Sequence, residues 1–348
     1  MQMRKLPMFR MVPRPARLSA ALALAAFAVT APVAPARADQ VEILNVSYDI
    51  ARELYAQINP AFIEQWDAET GNELTVNQSH AGSSKQARAI LQGLQADLVT
   101  FNQVTDVQVL ADAGFVSENW REEFPNDASP YYSLPAFMVR GGNPKGIKDW
   151  DDLIRDDVQI VFPNPKTSGN GRYTYLAAYA YALKQSGGDD AAAQAFVDKL
   201  LANVAVFDTG GRGATTTFVE RGIGDVLITF EAEVENIRKA EAEGAYDRVV
   251  PSLSVLAEFP VAVVDRVAQK RGTEEVAKTY LDFLYSRQGQ EILASFNNRV
   301  HDPEVVAAHA ADFPDVELVK VEDVFGGWDQ AMDTHFASGG VLDVLLAN

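Results

Sequence analysis

An α/β protein of two lobes with a cleft between them is what the sequence predicts, and three observations predict it. Short apolar strand patterns alternate with helical patterns, the signature of mostly parallel, helix-covered sheets. Two proline-bearing apolar runs, "SLPAFMVRGG" (133–142) and "AEFPVAVVD" (257–265), enclose a segment with a β/α rhythm of its own. At 348 residues the chain is long enough for about two domains with real cores.

The first 38 residues stand apart. Arg4, Lys5, Arg10, Arg14 and Arg17 form a basic start, "LSAALALAAFAVTAPVA" (18–34) is a short apolar stretch, and "ARA" (36–38) has the small-x-small form of a cleavage site. This is a secretory signal peptide, with cleavage expected near Ala38–Asp39. Its removal takes away six basic residues and no acidic one, leaving 48 acidic side chains against 24 basic ones. So acidic a body is a poor partner for nucleic acid or an anionic membrane surface. There is no cysteine, hence no disulfide, no lipid-bearing cysteine and no thiolate metal site.

The mature chain opens with a strand, "VEILNVSY" (41–48), and a helix on which Leu54, Ile58, Phe62 and Trp66 recur every four residues. "NELTVNQSH" (72–80) is a second strand, 84–94 a helix with Ala87, Ile90, Leu91 and Leu94 on one face, and "ADLVTF" (96–101) a third strand. In the enclosed segment follow "VQIVFPNP" (158–165), a helix from Tyr173, a helix over 191–203, "VAVFDTG" (204–210) and "DVLITFEAE" (225–233). Proline suits strand edges and exposed crossings, so the runs at Pro135 and Pro260 are expected to carry the chain between lobes. Lobe I is then 39–132 with 266–348, its C-terminal part free to pack partly on lobe II, and lobe II is 143–256. Thr273 is placed to cap a helix that turns Val276, Tyr280, Phe283 and Leu284 inward.

Three strand-to-helix junctions share one design, a run of Gly, Ser, Thr or Asn just before a helix. They are "QSHAGSSKQARAIL" (78–91), "FPNPKTSGNGRYTYL" (162–176) and "FDTGGRGATTTFVERG" (207–222). At such points backbone N–H groups lack partners and the helix dipole adds roughly half a positive charge. Neutral dipoles of this kind can hold an anion inside an acidic protein. A phosphate loop is not the reading, since no Lys-Ser/Thr follows "SGNG" and no GxGxxG follows the first strand. His80, His301, His309 and His335 show no metal spacing, and no GxSxG elbow is present. His80 could serve as a base beside Ser83 or Asp49, but a locally hydrogen-bonded helix-entry histidine is the favoured reading.

These motifs resemble the periplasmic sulfate- and thiosulfate-binding proteins of ATP-driven importers. The likeness runs from "LNVSYDIARELY" through "QSHAGSSKQA", "NPKGIKDWDDL", "FPNPKTSGNGRYTYLAA", "DTGGRGATTTFVERGIGDVLI" and "LAEFPVAVVD" to "VFGGW" and "HFASGG", essentially the whole mature chain. It implies the type II periplasmic binding fold, with the ligand in the interlobe cleft, and a monomeric receptor that performs no reaction and needs no cofactor or metal. It also implies permease subunits of an ABC importer as partners and the periplasm as location. Carried over, the ligand contacts are the backbone N–H of Asp49, then Ser83, Ser168, Gly169, Asn170 and Gly211. Where the sulfate-binding branch has a tryptophan donating its indole N–H, this sequence has Phe230. Thiosulfate is therefore expected to be preferred, with sulfate also bound. A sulfate- or molybdate-selective receptor is the alternative within the fold, and a secreted hydrolase of sulfated or phosphorylated small molecules is the rival outside it.

Overall fold

Seven residues from Val41 to Ser47 form an internal strand of the first sheet, buried on both faces over its last three residues, Asn45 to Ser47. The strand pairs in parallel with Leu74–His80 on one side and with Leu98–Thr100 on the other. Val261–Val263 closes the sheet as an antiparallel edge. The computed structural model describes residues 40–347, so the expected signal peptide lies outside the described residues.

The helix Arg52–Thr70 buries Leu54, Tyr55, Ile58, Phe62 and Trp66, the four-residue spacing expected of it, and Phe62 meets Tyr280 edge to face at 4.9 Å. Gly71, at φ 70°, ends it in the left-handed conformation. The next helix, Ser83–Leu91, buries Ala87 and Ile90, while Leu91 is exposed, against expectation. The helix stops at that residue, and the chain turns off through Gly93. Thr273 does sit at a helix N-cap, but its hydroxyl does not cap; it donates to Asp97 Oδ1 at 2.5 Å. Asp97 is fully buried and also accepts from Leu44 N and Arg271 Nη1, so satisfying this charge outweighs a cap that water can replace.

The second sheet has the order Val204–Asp208, Ile160–Pro163, Val226–Phe230, Pro135–Arg140, Tyr246–Val249. Ile160–Pro163 is parallel to both neighbours, whereas Pro135–Arg140 is antiparallel to both of its own. The run at Pro135 is thus an internal strand of this sheet over most of its length. Pro135 is tolerated because it pairs only with Phe230, ahead of the first partner in Tyr246–Val249. The two stretches between sheets lie side by side, Tyr131–Ser133 antiparallel to Ala257–Glu258, with Arg299–Val300 on the other flank.

Beyond residue 300 the chain is more than helix and loop. Glu317–Val319 adds a parallel strand to Leu253–Val255. A π-helical turn, Met332–Phe336, buries His335 against Tyr175 and Tyr179 of the helix Gly169–Gln185. Lys166 holds this end by donating to Phe336 O at 2.9 Å and by pairing with Asp343 at 2.7 Å. Among the described residues, no helix is long and apolar enough to cross a membrane.

Candidate anion site between the lobes

In each sheet the parallel strand flanked on both sides by its successors marks the point where strand order reverses, and a crevice opens beyond its C-terminal end. Val41–Ser47 and Ile160–Pro163 are those strands. The first leads into Asp49 and the second into Ser168, Gly169 and Asn170, so two of the predicted segments sit where the topology leaves room.

The second-lobe junction is a tightly tied turn. Asn164 O accepts from Thr167 N and Ser168 N, and Asn164 Oδ1 accepts from Lys166 N at 2.8 Å. Ser168 then caps the helix, its Oγ accepting from Gly171 N at 3.4 Å, so the helix begins at Gly169 rather than at Tyr173. With its own N–H on Asn164 and its Oγ already an acceptor, Ser168 can offer a ligand only its hydroxyl proton. Gly171 is required by the turn itself, since a Cβ there would lie 2.3 Å from Pro163 O. Gly169 and Asn170 begin a 17-residue helix, where no preceding turn supplies acceptors for their N–H groups. The Asn170 side chain is buried and donates to Thr229 Oγ1 at 2.8 Å, next to Phe230.

Gly211 opens a second helix, Gly211–Val219, whose N-cap Gly210 is fully extended and supplies no side-chain acceptor. A Cβ on Gly211 would stand 3.7 Å from Asn170 Nδ2 and 3.3 Å from Ile50 Cγ2, so this start meets both the first helix start and the opposite lobe. Phe230 is fully buried, edge-on to Phe259 at 5.1 Å and to Tyr173 at 6.1 Å. A cavity of about 320 Å³ runs along its flank, walled also by Tyr48, Ile50, Arg212 and Glu233.

From the first lobe, Asp49 starts a short 3-10 helix. Its carboxylate is already engaged, Oδ1 accepting from Ile50 N at 3.1 Å and Oδ2 from Arg212 N of the other lobe at 3.3 Å. Arg212 also reaches Glu53 with its guanidinium at 2.9 Å. Ser83, the first residue of its helix, is buried and donates to Asn102 Oδ1 at 2.7 Å while accepting from Asn102 N. Asn102 Oδ1 in turn lies 3.0 Å from where a Cβ of Gly169 would be. Asp49, Ser83, Ser168, Gly169, Asn170, Gly211 and Phe230 therefore form one connected cluster, with the lobes in contact around it.

His80 takes the local role, its Nδ1 lying 3.1 Å from Tyr48 O, where it donates, and burial lowers its pKa. The buried Arg172 reaches Ser84 of the other lobe at 3.4 Å, and Ser84 donates to Asp106 at 3.0 Å. Sequence reasoning passed over Asn102 and Gln103, which border Gly169 from the first lobe. Their one signal was position, at the end of the strand Leu98–Thr100 beside Val41–Ser47.

Two of the buried acids, Glu233 and Glu258, are raised into the neutral range. Burial raises Glu233 to about 7 against the pull of Arg212 and Thr215, and raises Glu258 to about 7 against Arg121. Unfolded, each ionises near its usual value of 4.5, so between that pH and about 7 the folded chain holds more protons. These two groups are thus expected to lower stability as pH rises from about 5 to 8, by at most roughly 3 kcal/mol each, while His80, His301 and His335, whose pKa values burial lowers, pull the other way below about pH 6.5. Denaturant titrations of the ligand-free protein at both pH values check this. Glu233→Gln and Glu258→Gln should each flatten the slope, and an unchanged slope in both would refute the assignment.

Residues 45–296 match the model of the family described as "Bacterial extracellular solute-binding protein". The chain belongs to this family. The thiosulfate-binding protein of Escherichia coli K12 is 57% identical over 308 residues, 88% of this chain and 91% of that relative. The sulfate-binding protein of the same organism is 47% identical over 306 residues, 88% and 93% of the two chains. Among solved structures, the sulfate-binding protein SubI of Mycobacterium tuberculosis H37Rv superposes with a TM-score of 0.74 at 32% identity, covering 84% of this chain and 98% of that one. The two-lobed, type II binding fold expected from the sequence is the fold observed.

Proposed function

We propose that the chain is a periplasmic receptor that closes on thiosulfate, also binds sulfate, and delivers both to the permease subunits of an ABC importer without transforming them. The observation that carries this reading is the meeting of helix starts from two lobes, each presenting backbone or hydroxyl donors. Two relatives, a thiosulfate-binding protein at 57% identity and a sulfate-binding protein at 47%, support the choice of anions. The protein acts as a monomer after its first 38 residues are cleaved. The lobes hinge where Tyr131–Ser133 and Ala257–Glu258 run side by side, so that residues 321–346 move with the second lobe.

In this reading the anion accepts from the N–H groups of Asp49, Gly169, Asn170 and Gly211, from the hydroxyl of Ser168, and from that of Ser83 once its proton turns from Asn102 Oδ1 to the ligand. Phe230 faces the larger, more polarizable terminal sulfur of thiosulfate, a poorer acceptor than oxygen. Each donor to a charged ligand is worth about 1.5–3 kcal/mol, so losing one tryptophan N–H weakens sulfate more than thiosulfate. A hydrogen-bearing phosphate needs an acceptor, and the Asp49 carboxylate already accepts two backbone N–H groups. Calorimetric titration of the purified mature chain tests the reading: both sulfur anions should bind well below about millimolar, and failure of both to do so would sink it.

A further inference from the structure

Gln103 is fully buried, yet neither its Nε2 nor its Oε1 has a hydrogen-bond partner. It occupies the N-cap of the helix Val104–Asp112 without capping it, so its side chain leaves the local backbone. What it lies against is the helix start of the opposite lobe: a Cβ on Gly169 would be 3.0 Å from both Gln103 Cβ and Gln103 Oε1. Folded proteins leave few buried side-chain polar groups unpaired, because each costs on the order of 1–3 kcal/mol. An amide left open on both sides at the N-terminus of a 17-residue helix has a missing partner there.

We propose that this partner is the bound oxyanion and that Gln103 Nε2 donates to it, making Gln103 a first-lobe ligand contact beside Ser83. This rests on the receptor reading above and adds a residue to it. A neutral amide fits a site that works by dipoles, since it supplies a donor without a formal charge. Its position just beyond the strand Leu98–Thr100 gives the first lobe a third contact point, opposite Gly169, so the contact forms only as the lobes close. Which end of the amide faces the ligand follows from the anion's chemistry, because a fully deprotonated oxyanion accepts and cannot donate.

The test is Gln103→Leu, similar in volume and unable to donate, alongside Gln103→Glu and the wild type, titrated with thiosulfate and sulfate while ligand-free thermal stability is followed. Gln103→Leu is expected to keep or raise the ligand-free melting temperature, since an unpaired amide is removed, and to bind thiosulfate about ten- to hundredfold more weakly. Gln103→Glu, with a carboxylate facing the anion, is expected to be weaker still. Thiosulfate binding by Gln103→Leu equal to or tighter than wild type overturns the contact and leaves Gln103 to buried water. If the wild type itself binds neither anion, the receptor reading falls and this inference falls with it.

Discussion

Gly169→Val is expected to fold normally and to bind thiosulfate at least a hundredfold more weakly than wild type. A Cβ at this position would stand 3.0 Å from Asn102 Oδ1, Gln103 Cβ and Gln103 Oε1, all on the other lobe, and valine's two methyls go further into that contact. Gly169 is the first residue of its helix and its backbone is not in the left-handed region, so a side chain brings no conformational strain of its own. The cost, about 1–3 kcal/mol or more for overpacking, falls on the closed arrangement alone. A receptor whose closed state is disfavoured by about 3 kcal/mol loses about two decades of apparent affinity. Gly169→Ala should give a smaller loss, about tenfold. Calorimetry with a melting curve of the ligand-free variant separates the outcomes, and full affinity in Gly169→Val would mean that the lobes need not meet at this point.

Phe230→Trp is the second large effect, and it acts on selectivity. The ring sits in a box of Phe259 and Tyr173, with the cavity of about 320 Å³ along one flank, so a larger indole has somewhere to go. Thr229, the preceding residue, is already hydrogen-bonded to Asn170, which fixes the strand end that aims residue 230. An added N–H toward an oxyanion is worth about 1.5–3 kcal/mol, and a terminal oxygen uses it better than a terminal sulfur does. The ratio of sulfate to thiosulfate affinity should therefore rise by about ten- to hundredfold. Direct titration of both anions gives this ratio, and one that stays put would remove Phe230 from the explanation of specificity.

Much of this architecture was visible before any coordinates. The repeat of Leu54, Ile58, Phe62 and Trp66 marks a helix with one buried face, and the structure buries all four. Alternation of strand and helix marked both sheets, because parallel strands need a covering helix between them. What the pattern could not carry was pairing at long range. The run at Pro135 reads as a connection because proline suggests an edge, yet two residues later the strand is flanked on both sides. Glu317–Val319 is too short to announce itself as a strand, and exists because Leu253–Val255 offers it a partner.

The site divides the same way. Glycine- and hydroxyl-rich junctions are local features, so the three junctions stand out in the sequence, while Ser83, Ser168, Gly169, Asn170 and Gly211 within them are what the family resemblance implies. Even there, Gly-Asn-Gly hid four helical residues, because glycine lowers helix propensity and only the packing against Pro163 and Gln103 explains its use. Gln103 was invisible for a plainer reason. A single glutamine before a helix has no pattern, and only burial without a partner makes it conspicuous.

Whether neutral donors alone hold a fully deprotonated sulfur oxyanion is decided by a competition experiment. Protein loaded with radiolabelled thiosulfate would be challenged at neutral pH with unlabelled thiosulfate, sulfate and phosphate. Thiosulfate is predicted to displace the label at the lowest concentration and sulfate at a higher one, with phosphate failing even at about hundredfold excess over sulfate. Displacement by phosphate at concentrations comparable to sulfate would contradict the claim, since it would place an acceptor in the site.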